Sequence, residues 1–344
     1  MPAGLAPPPG PTDQRAEEER SDGSPAKAGL RGIVLPAAVA VGIGTLLVVV
    51  YLAAFPTATP HDLPVGVTGS SADVAAVRQA VEEARPGALR LVGLPEAAAA
   101  ERAVTSGDVY AALVLGPPGP QLLVAGAHGQ PVTQDLTAVL GPVVAGRTGA
   151  QPTVTDVAPL AAGDLRGRAI DHTAFGVVLG GFLFGITSYQ VAPKQRLRLR
   201  LASAVLFAAT AGLLGAWLAV PVFEALPAGF WPVAGIVALL ALASGAAAAL
   251  ALRLLGGAGT FVATAVLLTV GAATSTGSLP AEYLPGWLEP LASVLPPGVA
   301  VRALRGLAYL DGDGVARAVW VLALWCVLPP ALIALTDAVS RRRG

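Results

Sequence analysis

The side chains able to do chemistry are few and scattered. His61, His128 and His172 lie far apart, with no cysteine nearby and no partner four residues along a helix, so they make no metal site. Cys326 is the one cysteine and sits in an apolar stretch, where it reads as a small apolar side chain with no disulfide to form. Asp311-Gly312-Asp313-Gly314 begins like a calcium loop but lacks the third acidic position and the distal glutamate, so it reads as a turn. Thr187 and Ser188 lie in an apolar stretch without the G-x-S-x-G turn of a hydrolase. Lys27 and Lys194 are the only lysines, and neither follows a glycine-rich phosphate loop, so the chain does not bind ATP in that manner. No catalytic constellation and no cofactor site results, and the chain is not expected to be an enzyme. Two groups of basic residues remain: Lys194 to Arg200, and the Arg302/Arg305 pair in a proline-rich segment.

The elements that hold these residues are apolar. Hydrophobic residues make up 54% of the chain and charged residues 13%, with a mean hydropathy of +0.67, far from a soluble domain with about 25% charged residues. Formal net charge is zero, so no basic field exists to hold nucleic acid. Residues 33–55 contain no charge, and five further apolar stretches follow at 173–191, 201–222, 231–252, 256–273 and 315–335. Most match the length needed to cross a hydrocarbon core of about 30 Å at 1.5 Å per residue. Only Arg317, near a helix end, is charged. The expected fold is a polytopic α-helical membrane protein with six transmembrane helices, the first at 31–55 and the other five within 173–344. A block at 56–172 is inserted after the first.

Arginine placement orients this arrangement. Arg15, Arg20, Lys27 and Arg31 precede the first span, Lys194, Arg196, Arg198 and Arg200 join the second and third, and Arg341, Arg342 and Arg343 follow the last. The positive-inside rule puts these segments and both termini in the cytoplasm of a multi-pass plasma-membrane protein, leaving 56–172 and 275–314 outside. Residues 33–55 exceed a signal-peptide core of about 7–15 residues, and Ala53-Ala54-Phe55-Pro56 is a poor cleavage site, so the first span is retained. Residues 1–30, rich in proline, glycine and charge, read as a disordered cytoplasmic tail.

The outer block reads as an α/β domain. Strands are expected at 63–69, 88–94, 109–115, 121–125 and 153–157. Helices fall between them: one capped by Ser70 or Ser71, an alanine-rich one starting at Pro95, and a third over 131–144. The order β-α-β-α-β-β-α-β argues for a mixed sheet covered by helices.

Three groups of motifs occur in order along the chain. They are Asp62-Leu63-Pro64-Val65-Gly66-Val67-Thr68-Gly69 after the first span, Ser106 to Leu115 and Asp156 to Leu160 in the outer block, and Gly277 to Pro285 with Leu295-Pro296-Pro297 and Arg302 to Arg305 before the last span. Together they resemble the large-ectodomain branch of ATP-binding-cassette (ABC) type 2 transporter permeases, which includes the phage-infection-protein group. The resemblance covers nearly everything from Ile33 onward. It implies an export permease in the lipid bilayer, paired as a homodimer or with a related permease, and docked on a separate ATPase subunit. It makes Lys194, Gln195, Arg196, Arg198 and Arg200 the candidate ATPase-docking turn, although basic residues at a cytoplasmic membrane edge also serve topology and lipid headgroups. It makes Pro280, Tyr283, Pro285, Pro296, Arg302 and Arg305 a candidate outer-gate segment. The chain departs from the family in one respect: residues 21–30 lack an amphipathic elbow helix.

Within the spans, Gly176, Gly180, Gly181 and Gly185 form two small-xxx-small pairs suited to close helix packing. No charged residue lies mid-span, which argues against ion-coupled transport. In 275–314, short amphipathic or re-entrant helices are expected at the outer interface. Tyr283 and Trp287 would then sit at headgroup level, and Arg302 and Arg305 would face water or a carboxylate. The alternative to a permease is a non-transporting receptor or scaffold whose outer domain binds an envelope component.

Overall fold

The structure is a computed structural model that describes residues 25–54, 59–192, 195–277 and 279–343. The chain divides at Leu46 into a small unit and a large one, residues 47–344. The described part of the small unit belongs to helix α1, Pro25–Ala54, which begins before the span expected at residue 31. Residues 25–30, expected to be disordered tail, are therefore the first turns of this helix, with Pro25 at the start, where a missing N–H costs nothing.

The α/β region follows the expected order. Its elements are β1 (Leu63–Thr68), α2 (Ser71–Ala84), β2 (Leu89–Gly93), α3 (Ala97–Thr105), β3 (Ala111–Val114), β4 (Gln121–Val124), α4 (Gln130–Thr148) and β5 (Thr153–Asp156). The sheet order is β2-β1-β3-β4-β5, parallel except for the β3/β4 hairpin, in which Ala111 pairs with Val124 and Val114 with Gln121. Pleat alternation sends Leu63, Val65, Val67, Leu113 and Leu122 to one face, where they pack on Val77 and Val81 of α2 and on Leu136 and Leu140 of α4. Ala112 and Leu123 face the other way, onto Ala100 and Val104 of α3. Ser70 caps α2, its hydroxyl accepting from the Asp73 N–H at 3.1 Å. A Cβ on Gly66 would stand 2.5 Å from the Leu94 side-chain end and 3.1 Å from the Ala112 Cβ, so packing over this strand is tight.

Among the described residues four helices are long and apolar enough to cross a membrane: α5 (Ala169–Val191), α6 (Leu197–Val222), α7 (Phe230–Leu255) and α11 (Val315–Arg343), the last with its apolar part ending at Val339. This is the make-up of a multi-pass membrane protein. Helix α8 (Ala258–Ala273) is shorter; at 1.5 Å per residue it spans roughly 24 Å, and its middle, Thr264–Val270, is wound as a π-helix. Helix α7 is the centre of the bundle, packed against α5, α6 and α11, with Val233, Val237, Leu240 and Ala243 fully buried. Leu206, Trp320 and Val327 point outward and are more than 60% exposed, the distribution needed where hydrocarbon is the solvent.

Segment 275–314 departs from the amphipathic interfacial alternative expected of it and is nearer to the re-entrant one. The helix expected over 286–295 shrinks to the four residues of α9 (Glu289–Ala292). Helix α10 (Pro296–Tyr309) enters the bundle and packs on α11, α7, α5 and the end of α8. Of its first eleven residues only Arg302 is exposed. Its polar face is narrow, with Arg302 at the surface and Arg305 bonded to backbone carbonyls inside, and its small residues suit burial among helices.

Candidate functional site

Helix α10 and the stretch before it meet the α/β region through paired polar contacts. The Tyr110 hydroxyl donates to Glu282 Oε2 at 2.9 Å, and the Tyr283 hydroxyl donates to Asp135 Oδ2 of α4 at 3.2 Å. The His61 N–H donates to the Glu282 carbonyl at 2.9 Å, and His61 Nε2 lies 3.2 Å from Glu289 Oε2. The Tyr309 hydroxyl accepts from the Ala161 N–H at 3.2 Å. Tyr283 is therefore not a headgroup anchor. It is 3% exposed and belongs to the core formed by β1, α2 and α4. Burial, followed by the neighbouring Glu282 carboxylate, pushes the Tyr110 phenol far above its ordinary range; burial and Asp135 do the same to Tyr283. Both hydroxyls remain protonated donors at any physiological pH.

Between these contacts lies a cleft of about 350 Å³. Gly107, Tyr110 and His128 line it from the α/β region, and Glu282, Arg302 and Arg305 line it from the other side. The two arginines diverge. Arg302 forms a fork on Asp313, Nε to Oδ2 at 2.8 Å and Nη2 to Oδ1 at 3.2 Å, as a residue expected to face water or a carboxylate should. Arg305 is 8% exposed, not solvated, and its Nη2 donates to the carbonyls of Thr276 and Gly277 at 3.0 Å each. One helical turn separates them, but α10 turns Arg302 to the surface and Arg305 inward. Asp311 to Gly314 form the turn expected of them, with Gly312 and Gly314 left-handed (φ 86° and 72°), and this turn delivers Asp313 to Arg302. Of the remaining residues proposed for an outer gate, Pro280 lines the cleft, Pro296 starts α10, and Pro285 accepts the N–H groups of Leu288 and Glu289.

His128 follows β4 in a 3₁₀ turn, Gly126–His128, and is 5% exposed, with its ring 4.4 Å from that of Tyr110. Burial, then the charges of Arg305 and Arg302, lower its pKa to about 3, so the ring is neutral. The sequence marks His128 only as an isolated histidine unsuited to a metal site, and Tyr110 only as part of the Ser106 to Leu115 motif. Each sits in a stretch free of charge that reads simply as strand and turn, and nothing local marks them as facing a cleft. His172 lines a separate, mainly apolar cavity of about 590 Å³ with Asp171, Phe175, Val178 and Leu267.

The turn expected to dock an ATPase lies between α5 and α6. Lys194 lies outside the described residues. Arg196 and Arg198 are exposed, and Gln195 is half-buried. Arg200 is buried and committed elsewhere. Its guanidinium stacks 3.7 Å over the Tyr189 ring and donates to the carbonyls of Ser188 (3.3 Å) and Ala192 (2.9 Å). It closes the C-terminal end of α5, where carbonyls lack helical partners, and is not available to a partner subunit. On the same side of the bundle, Arg253 Nε donates to Asp337 Oδ1 at 3.0 Å, joining α7 to α11.

The four glycines of α5 also divide. A Cβ on Gly181 would stand 2.7 Å from the Ala241 carbonyl oxygen, and one on Gly185 2.6 Å from that of Gly245, so this pair is where α5 and α7 touch. Gly176 has nothing within 4 Å, and Gly180 meets only Phe207, at 3.8 Å. The Gly181 and Gly185 pair therefore serves packing between two helices of the same chain. No protein-family model, curated protein or solved structure matches this chain.

Proposed function

We propose that the chain is the membrane-spanning permease subunit of an ABC type 2 exporter-like system, in which a separate subunit hydrolyses ATP. The observation that carries this reading is the path of α10. The chain turns back into the bundle just before the last long helix, and its lead-in is held to the α/β region by Tyr110, Glu282, Tyr283 and Asp135. A displacement of the bundle is thereby transmitted to the α/β region, as an export cycle requires. In this reading α1, α5, α6, α7, α8 and α11 are six spans, with α8 crossing by local thinning of the bilayer. Both termini and Arg196, Arg198 and Arg253 face the cytoplasm, and residues 59–168 face outward as an inserted domain. Arg196 and Arg198, exposed and unpaired among the described residues, are the docking candidates; Arg200 is not.

The receptor or scaffold reading draws on the polar cleft beside Tyr110 and Arg302, a shape able to hold a ligand without moving it. Affinity purification of the tagged chain from its own membranes separates the two. A permease brings down an ATPase subunit bearing a phosphate loop, and Arg196→Ala with Arg198→Ala weakens that association. If no ATPase co-purifies under any mild detergent, the permease reading is lost. Thiol labelling of cysteines placed at Ser106 and Gln195 tests the topology. The first should react only from outside and the second only from inside, and the reverse pattern would overturn it.

A further inference from the structure

The cavity of about 590 Å³ beside His172 has a polar end and an apolar body. Along α5 its lining runs Asp171, Ala174, Phe175 and Val178, at i, i+3, i+4 and i+7, so one helix face passes from charged to apolar over about 10 Å. The wall from α8 changes the same way. Ser275, just past that helix, donates its hydroxyl to Asp171 Oδ1 at 3.1 Å, and Leu267 lies two turns earlier. Leu267 belongs to the π-wound stretch, a winding that is rare and concentrated at functional sites. Val178 and Leu267 are 1% exposed, yet the same continuous space reaches an open rim. Arg168 and His172 are exposed there, as are Phe175 and, on α1, Leu52. The rim thus meets water on one side and the apolar surface of α1 and α5 on the other, so a hydrocarbon chain can enter sideways.

We propose that this cavity binds an amphiphile of no net charge, its hydrocarbon chain against Val178 and Leu267 and its head at Arg168 and Asp171. The volume lies in the range of about 300–1,000 Å³ usual for small-molecule sites. Apolar walls select the chain, since an empty apolar space leaves its lining without partner atoms. Charge selects the head. Arg168 and Asp171 are the charged residues that line the cavity among the described residues, and neither forms an ion pair there. A cationic head would meet Arg168 and an anionic head Asp171, whereas a head without net charge finds a donor in the first and an acceptor in the second. Zwitterionic and polyol heads share that chemistry. Occupation requires neither an ATPase nor transport, so this site stands apart from the permease reading.

The test is photolabelling of the full chain in bilayer nanodiscs. The probes are dodecyl amphiphiles with a diazirine at the chain end and a maltoside, phosphocholine, trimethylammonium or sulfate head. Maltoside, phosphocholine or both should label Val178 and Leu267 saturably, as read by peptide mass spectrometry. Excess unlabelled amphiphile should compete, and free maltose should not. Labelling by phosphocholine alone would point to a zwitterionic lipid, and by maltoside alone to a sugar-headed one. The two charged probes should label more weakly. Asp171→Asn leaves Arg168 unbalanced and should raise the sulfate probe above the trimethylammonium one; Arg168→Gln should do the reverse. Ala272→Leu, which fills part of the cavity, should cut labelling by about tenfold or more. Should Asp171→Asn fail to fold, Arg168→Gln decides, since that side chain is exposed. The proposal is overturned if neither maltoside nor phosphocholine labels the cavity saturably, or if a charged probe labels as strongly as the better of these. It is overturned equally if Arg168→Gln leaves the order of the charged probes unchanged, or if folded Ala272→Leu labels as wild type does.

Discussion

The contact between α5 and α7 can be tested by adding a single methyl group. Replacing a helical glycine by alanine ordinarily stabilises a helix by about 1 kcal/mol, because the chain loses less freedom on folding. At Gly176 that gain stands alone, since nothing lies within 4 Å of the added Cβ. At Gly181 the same Cβ would meet the Ala241 carbonyl at 2.7 Å and the Ser244 Cβ at 2.8 Å. The first neighbour is helix backbone and cannot rotate away, so the two helices must separate. Overpacking of this kind costs about 1–3 kcal/mol, leaving Gly181→Ala up to about 2 kcal/mol less stable after the helical gain is deducted. Gly181→Leu should be worse still. Thermal unfolding in one detergent, followed by retention on size exclusion, should place Gly176→Ala at or above wild type and Gly181→Ala several degrees below it. Equal midpoints for the two alanine variants would refute the packing argument, and a lower midpoint for Gly176→Ala would move the tight contact to the other glycine pair.

Arg200→Gln should lower the unfolding midpoint, because the carbonyls of Ser188 and Ala192 lose their donor, whereas Arg196→Ala and Arg198→Ala should leave it within error. Tyr283→Phe, which removes only the hydroxyl facing Asp135, should cost about 1 kcal/mol in thermal unfolding, and Tyr283→Ala, which empties a buried aromatic site, about 3–5 kcal/mol; equal losses would show that the ring is not buried. His128 has a folded pKa of about 3 against an ordinary 6.5, so between these values the unfolded chain binds the proton that the folded chain excludes. Its contribution to stability is present above pH 6.5 and lost as pH falls toward 3. Wild type should therefore lose more of its melting temperature between pH 6.5 and 5 than His128→Leu does, and parallel curves would show that the ring is accessible to protons when folded.

The bundle helices and the α/β region were legible because their signals are local. Continuous apolar stretches predicted α5, α6 and α7 within about four residues of their ends and the start of α11, which runs on past the expected Leu335 to Arg343, and period-two alternation with Ser70 as a cap predicted the strands and helices of residues 63–156 in their observed order. What failed was any statement that depended on which way a side chain turns once helices pack. Arg302 and Arg305 look alike in sequence, as do Arg198 and Arg200, yet in each pair one faces the surface and the other is buried on backbone carbonyls. Gly176 and Gly181 look equally suited to a helix contact, and only the second makes it.

By itself the sequence determined a largely apolar chain, the presence of long helices and the order of the α/β elements. Each depends on composition or on periodicity along a short stretch, and these survive without knowing what packs where. Tertiary structure alone decided which helices α10 packs on, that Tyr283 belongs to the α/β core, and that Tyr110, His128, Glu282 and Arg305 share one cleft. Those residues are separated by up to 195 positions, from Tyr110 to Arg305, and are brought together only because the chain turns back after α8. Contacts of that range leave no periodic trace in a single sequence; they are set by which faces are buried together.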